Sequence, residues 1–242
     1  MAIKNSNGLL VQFAVNKLNT PYIMGTNGRV FTKSMYNDLV KRNPSNWFTT
    51  ARLPKVQSCI GIKTTDCHGL IEWFIREQTG SNYDVTADSA FQSAKIKGTI
   101  KTIPEQAGIC VRYQGHVGIY LGDGYVVEAR GFHYGTCITK LKDRNWTHWY
   151  KHPKIQYLDK QLPAPTKVTQ TSDKYSVVWL QMQLNRQIAA KHISVPVLTV
   201  DSCYGAKTAA AVLAYFKYKG WSTDWSGKQI GKNTIKALRK IV

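Results

Sequence analysis

The sequence predicts an α+β domain followed by a small all-helical domain, and three observations carry that expectation. Helix patterns come first and are followed by a run of strand patterns, the order of an α+β layer arrangement. Residues 158–174, rich in Pro, Ser and Thr and without hydrophobic periodicity, then break the pattern as a linker. Beyond them, residues 175–242 carry only helical spacing. The 242 residues therefore divide into a domain over 1–157, a linker over 158–174 and a second domain over 175–242. A hydrophobic fraction of 43 % with 11 % aromatics is enough to pack both and excludes disorder for most of the chain.

Taken in order, the first element is an amphipathic segment from Gly8 to Leu18, ended by Asn19-Thr20-Pro21. Residues 26–65 read as a basic, loop-rich insertion punctuated by Asn43-Pro44 and Leu53-Pro54. A strong helix pattern follows from Cys67 to Thr79, with apolar Leu70, Ile71, Trp73, Phe74 and Ile75 and with Asp66 as N-cap. A shorter helix is expected over Ala87–Ala94. Strands are expected over Ile109–Tyr113, His116–Leu121 and Tyr125–Arg130, the last two joined through Gly122-Asp123-Gly124. In the second domain Val177–Ile188 is helical, and a repeated Gly-x-x-Thr-x-x-apolar-apolar pattern starts two more helices. The repeat reads Gly205/Thr208/Ala211-Val212 and Gly231/Thr234/Ala237-Leu238.

Charge and cysteines narrow the function. Thirty-three Lys and Arg against 14 Asp and Glu give a formal +19, of which residues 160–242 carry +10. Such a surplus points to a polyanionic partner: nucleic acid, an anionic membrane surface or a wall polymer of the teichoic type. No apolar run is long enough to span a bilayer. The apolar stretch Leu9–Val15 is too short, and too poorly followed by small residues, to be a secretory signal, so synthesis in the cytoplasm is expected. Five cysteines without a C-x-x-C spacing argue against a disulfide scaffold and a zinc ribbon; no metal and no cofactor is called for.

Cys67 stands out because the N-terminus of a helix stabilises a thiolate, although Asp66 beside it opposes that effect. A nucleophilic cysteine needs a base and the base an orienting group, for which His116 and Glu128 are the candidates. Hairpin geometry tests the pair. A two-residue loop would pair Leu121 with Val126 and turn Glu128 away from His116. A three-residue loop, built on a type I turn with Gly124 left-handed, would set Glu128 opposite Gly118 on the face of His116. The pairing thus requires an odd loop or a bulge.

The joint pattern carries a family resemblance. Asp66-Cys67-His68-Gly69-Leu70, followed by Gly115-His116-Val117-Gly118-Ile119-Tyr120-Leu121-Gly122, resembles the signature of the NlpC/P60 cysteine peptidases, which have a papain-like core. Pro21-Tyr22-Ile23-Met24-Gly25 and Ala107-Gly108-Ile109-Cys110-Val111 look like further segments of that family. The resemblance implies Cys67 as nucleophile, His116 as general base, Glu128 as third member, and Tyr22 and Asp66 as substrate-binding residues. Three positions depart from the family. Glu128 stands where His is more frequent, His68 replaces the usual Ser, and the 26–65 insertion is about 40 residues where many members have about ten. The C-terminal repeat is similar to the peptidoglycan-binding-domain-1 type of module, in which Tyr204, Trp221 or Trp225 could either stack on sugars or close a small core.

Together the resemblances imply a peptidoglycan hydrolase of the phage endolysin type. Its expected target is the D-γ-glutamyl–diamino acid bond of wall stem peptides. Its expected partners are peptidoglycan and anionic wall polymers, with neither nucleic acid nor membrane insertion involved. It would be made in the host cytoplasm and act at the wall after release. An N-acetylmuramoyl-L-alanine amidase using the same residues is the alternative, and a non-catalytic wall- or nucleic-acid-binding protein is a second.

Overall fold

The computed structural model describes residues 5–43, 46–158, 163–223 and 226–239; Pro44, residues 159–162 and Trp225, which figured in the sequence reading, lie outside them. The chain divides into two compact units, Met1–Gln161 and Leu162–Val242. No helix among the described residues is long and apolar enough to cross a membrane.

The first unit is α+β. Helix α1 (Asn7–Asn16) is capped by the Ser6 hydroxyl, which accepts from the Leu9 N–H. Strand β1 (Asn27–Val30) pairs with β2 (Lys63–Thr65), and between them lie α2 (Lys33–Arg42) and α3 (Leu53–Gln57). Helix α4 (Gly69–Thr79) buries Leu70, Ile71, Trp73, Phe74 and Ile75 and packs on α1. After α5 (Ala87–Ser93) come β3 (Lys97–Thr99), β4 (Cys110–Tyr113), β5 (His116–Gly122), β6 (Tyr125–Ala129), β7 (Thr136–Lys140) and β8 (His148–Tyr150). These six strands form one antiparallel sheet in the order β3-β8-β4-β5-β6-β7.

The structure differs from the sequence reading in identifiable places. The 26–65 region is not mainly loop. Thr32 caps α2 through its hydroxyl, Asn43 ends it in the left-handed conformation, and Pro54 sits in the first turn of α3, where its missing N–H costs nothing. Phe31, Leu39, Trp47, Phe48 and Val56 give this region a core of its own, against which Tyr22, Cys67 and Phe132 pack. Strands β3, β7 and β8 went unread because they are three to five residues long and only partly buried.

In the second unit, β9 (Val168–Thr169) pairs with β10 (Gln229–Ile230). Part of the stretch expected to be linker is therefore an ordered strand, fixed by the burial of Val168. Helices α6 (Lys174–Ala189), α7 (Ala206–Tyr218) and α8 (Lys232–Arg239) follow the expected spacing, with α6 started by the Asp173 cap. Of the aromatics considered for stacking, Tyr204 is buried with its hydroxyl donating to the Gly227 carbonyl at 2.7 Å, so it closes the core. Trp221 is half-buried against Phe216 and Tyr215.

Candidate active site

Cys67 lies in the turn between β2 and α4, and the first residues of β5 bracket its sulfur. Sγ is 3.8 Å from the Gly115 carbonyl, and the N–H groups of Val117, His68 and Cys67 itself act on it. The turn is tight because Gly69 lies against the 22–27 segment. A Cβ there would stand 2.0 Å from the Thr26 carbonyl oxygen. The same segment is tied to β2 through Ile23 N–H to Thr65 O and Thr65 N–H to Pro21 O, which brings Tyr22 alongside.

The hairpin meets the geometric requirement through a bulge, the second of the two routes the sequence allows. Ile119 pairs with Val127 and Tyr120 with Val126, but Gly122 pairs with Tyr125, so Leu121 is one extra residue on β5. The loop itself is two residues, Asp123 and Gly124, both at positive φ (53° and 74°), rather than a type I turn. The bulge shifts the register by one, sets Glu128 across from Gly118 and leaves its side chain on the face of His116. His116 Nε2 and Glu128 Oε2 are 2.7 Å apart, with both residues buried.

Glu128 is held by more than the imidazole. Its Oε1 accepts from Thr139 Oγ1 at 2.7 Å and Arg144 Nε at 3.0 Å; its Oε2 also accepts from Arg144 Nη2 at 3.2 Å. Burial works to raise the carboxyl's pKa, but the hydrogen bonds from His116, Thr139 and Arg144 outweigh it and hold Glu128 below the usual carboxylate range. An ionised Glu128 accepts only, so the His116 proton resides on Nε2 and Nδ1 is left as the basic nitrogen. Trp146 and Tyr113 stack on the imidazole, with interplanar angles of 14° and 29°. Gly118 leaves room for the indole, since a Cβ there would be 3.0 Å from Trp146 Cη2.

The thiol does not match the expectation of a helix terminus stabilising a thiolate. The helix begins two residues later, at Gly69, and burial together with the Asp66 carboxylate pushes the Cys67 thiol up to about 12. Asp66 caps the turn with both oxygens, accepting from Gly69 N–H at 2.7 Å and Gly25 N–H at 2.8 Å. Its own pKa rises to about 6, because burial outweighs those hydrogen bonds. Tyr22 is kept a neutral phenol by burial and by the nearby Cys67 and Asp66. His68 points away from the thiol into a buried chain, with Nδ1 2.9 Å from Glu72 and Nε2 3.3 Å from His152.

Tyr22, Asp66 and Cys67 share one cavity, and His116 pairs with Glu128 on the strand whose Val117 N–H, with the adjoining Gly115 carbonyl, meets the Cys67 sulfur. Tyr22, Asp66 and Cys67 line a cavity of about 280 Å³ with Gly115, and Glu72 and Asp84 add two further carboxylates to its wall. Sequence reasoning missed Arg144, Thr139, Trp146 and Tyr113, which belong to no motif and reach Glu128 or His116 only through the sheet. It also missed Asp88, whose carboxylate accepts from the Gly115 N–H at 3.0 Å and pairs with Arg112 at 2.6 Å, fixing the loop beside the sulfur. No cluster of three or more His, Cys, Asp or Glu side chains suited to a metal ion occurs among the described residues.

No protein-family model and no curated protein matches the sequence. Among solved structures, the chain is similar to the NlpC/p60 domain of the peptidoglycan hydrolase SagA at 15 % identity, over 60 % of this chain and 98 % of that one, with a TM-score of 0.39. It is also similar to the peptidoglycan hydrolase RipB from Mycobacterium tuberculosis, at 16 % identity over 62 % of this chain and 67 % of that one, with a TM-score of 0.39. A third is NlpC1 from Trichomonas vaginalis, at 17 % identity and TM-score 0.40, where 62 % of this chain spans about half, 47 %, of the other.

Proposed function

We propose that the protein is a cysteine peptidase that hydrolyses peptidoglycan stem peptides, with Cys67 as nucleophile, His116 as general base and Glu128 orienting the imidazole. The observation that carries the reading is the buried 2.7 Å contact between His116 and an ionised Glu128, made on the strand whose first residues bracket the Cys67 sulfur. In this mechanism His116 Nδ1 takes the thiol proton as Sγ attacks the scissile carbonyl. The N–H groups of Cys67 and His68 face the developing oxyanion. The proton then passes to the leaving amine, and water, deprotonated by the same nitrogen, hydrolyses the thioester.

The substrate assignment rests on the sequence resemblance and on the cavity. Three carboxylates, Asp66, Glu72 and Asp84, line its wall and favour a peptide bearing a free amino group, as a stem peptide or its diamino acid does. Tyr22 donates from its phenol beside the thiol, and Asp66 retains acceptor capacity beyond its two backbone bonds. The bond we assign is D-γ-glutamyl–diamino acid. We assign attachment to the wall and its anionic polymers to the basic second unit, and action after release from a host cytoplasm to an endolysin role.

The test is mass spectrometry of fragments released from purified sacculi by wild type and by Cys67→Ala. New amino groups on the diamino acid support the assignment, and free N-terminal L-Ala would make the enzyme an amidase. Equal lysis by both proteins would refute thiol catalysis.

A further inference from the structure

A second cavity, of about 450 Å³, opens at the far end of the β5–β6 hairpin and shares no lining residue with the cavity at Cys67. Lys140, Lys142 and Arg144 line it together with Tyr125, Trp146 and Asp123. Three cations against one carboxylate leave the wall net positive. Neither lysine makes a side-chain ion pair among the described residues. Trp146 adds a donor that the protein does not satisfy: the residue is 5 % exposed and its Nε1–H has no hydrogen-bond partner. A buried orphan donor on the wall of a cationic cavity calls for an acceptor from outside the chain. Arg144 contributes the third direction. Its Nε and Nη2 are committed to Glu128 and Tyr113, and its Nη1 makes no hydrogen bond among the described residues.

We propose that this cavity is a binding site for a phosphate-class oxyanion. Lys140, Lys142 and Arg144 bring two ammonium groups and a guanidinium edge to the wall beside the Trp146 indole, all from one short segment, and every one of these groups is a donor only. A tetrahedral oxyanion offers acceptors in several directions, whereas a carboxylate offers them in one plane. The volume exceeds that of phosphate itself, and the ring faces of Tyr125 and Trp146 give room for ester groups on either side. The ligand is thus a free phosphate or one unit of a phosphodiester polymer. The same arginine that would meet it also clamps Glu128, so the site adjoins the proposed catalytic group without sharing the substrate cavity.

The experiment is independent of catalysis and uses the full chain. Indole N–H resonances of the seven tryptophans are recorded by 15N NMR, with the Trp146 signal assigned by its loss in Trp146→Phe. Inorganic phosphate is titrated against sodium chloride at matched ionic strength, and poly(glycerol phosphate) is titrated at equal phosphate concentration. A saturable shift of the Trp146 signal with phosphate or polymer, not reproduced by chloride, is expected. Lys140→Gln/Lys142→Gln should weaken it by about tenfold or more, equivalent to roughly 1.4 kcal/mol. Tighter binding of the polymer identifies a phosphodiester chain as the ligand, and equal binding per phosphate identifies the free ion. An unmoved Trp146 signal, or the same titration in the double lysine variant, overturns the site. Either outcome leaves the hydrolase reading to its own test, because Cys67 takes no part.

Discussion

Arg144→Gln is the substitution that most directly probes how the candidate site is held. Glu128 is 1 % exposed and keeps its charge through four hydrogen bonds, two of them from Arg144 at 3.0 and 3.2 Å. Removing the guanidinium leaves a buried carboxylate with only His116 and Thr139. Breaking a buried pair on one side costs about 3–5 kcal/mol. Because half of the hydrogen bonds survive and Arg144 is 18 % exposed, a cost at or just below the bottom of that range, about 2–3 kcal/mol, is expected. The pH dependence follows from the sign of the shift. The Glu128 pKa is depressed in the folded state, so its contribution is present above the unfolded value of about 4.3 and is lost as pH falls through the folded value. Without Arg144, burial, the largest influence on this carboxyl, is no longer outweighed by the same margin, and the folded pKa rises. The loss of stability on acidification should therefore begin at higher pH in the variant. Urea unfolding at pH 7.5 and pH 4.5 measures both effects. An unfolding free energy within about 0.5 kcal/mol of wild type at pH 7.5, with the same acid sensitivity, would refute the clamp.

Three further outcomes are expected. Asp66→Asn removes the anion that helps push the Cys67 thiol up to about 12, so alkylation by iodoacetamide at pH 8 should accelerate roughly three- to tenfold; an unchanged rate would leave burial as the sole cause. The carboxylate is neutral below its own pKa of about 6, so the difference between variant and wild type should vanish there. Gly118→Ala places a Cβ 2.6 Å from Val126 Cγ1 and 3.0 Å from Trp146 Cη2, and should cost about 1–3 kcal/mol while lowering kcat on released wall peptides more than it changes KM. Displacement of the indole that stacks on His116 is the reason, and an unaltered kcat would count against it. Finally, binding of full-length Cys67→Ala to sacculi should fall steeply between low and high salt, since residues 160–242 carry +10 of the +19; binding indifferent to ionic strength would remove the electrostatic account.

What the sequence disclosed, and what it did not, divides along a physical line. Helix α4 was legible because its five apolar residues repeat at helical spacing, which is local information, although it starts at Gly69 with His68, not Asp66, at the N-cap position. The Glu128–His116 face was legible because side chains alternate along a strand, so parity narrowed the question to one residue in the hairpin. The bulge at Leu121 answered it, and its cause lies elsewhere: Asp123 N–H donates to Glu105 and Gly124 N–H to the Tyr120 hydroxyl. Arg144 was illegible for the same reason. It stands 16 residues after Glu128, in a segment with no periodicity, and only the closing of β7 and β8 onto the sheet brings it back. Likewise the prolines of the 26–65 region were read as breaks. Whether Pro54 breaks a helix or starts one depends on Val56 finding a core to enter.

The electrostatics of the assembled site bear on the resting state of the proposed nucleophile. A thiol whose pKa is pushed up to about 12, beside a carboxylate, is a neutral thiol at physiological pH. The usual compensation would be an imidazolium stabilised by a third anionic group, yet here the charge of Glu128 is already matched by Arg144 through two hydrogen bonds. Glu128 therefore fixes the tautomer and orientation of His116. A neutral thiol gives up its proton only as the bond to the substrate carbonyl forms. The N–H groups of Cys67, His68 and Val117 then matter most late, when negative charge leaves the sulfur for the carbonyl oxygen. On this argument Asp66 is tolerated beside the thiol because its carboxylate opposes a resting thiolate, a state that the mechanism does not populate. Its two short bonds to Gly25 and Gly69 meanwhile hold together the segments that carry Tyr22 and Cys67.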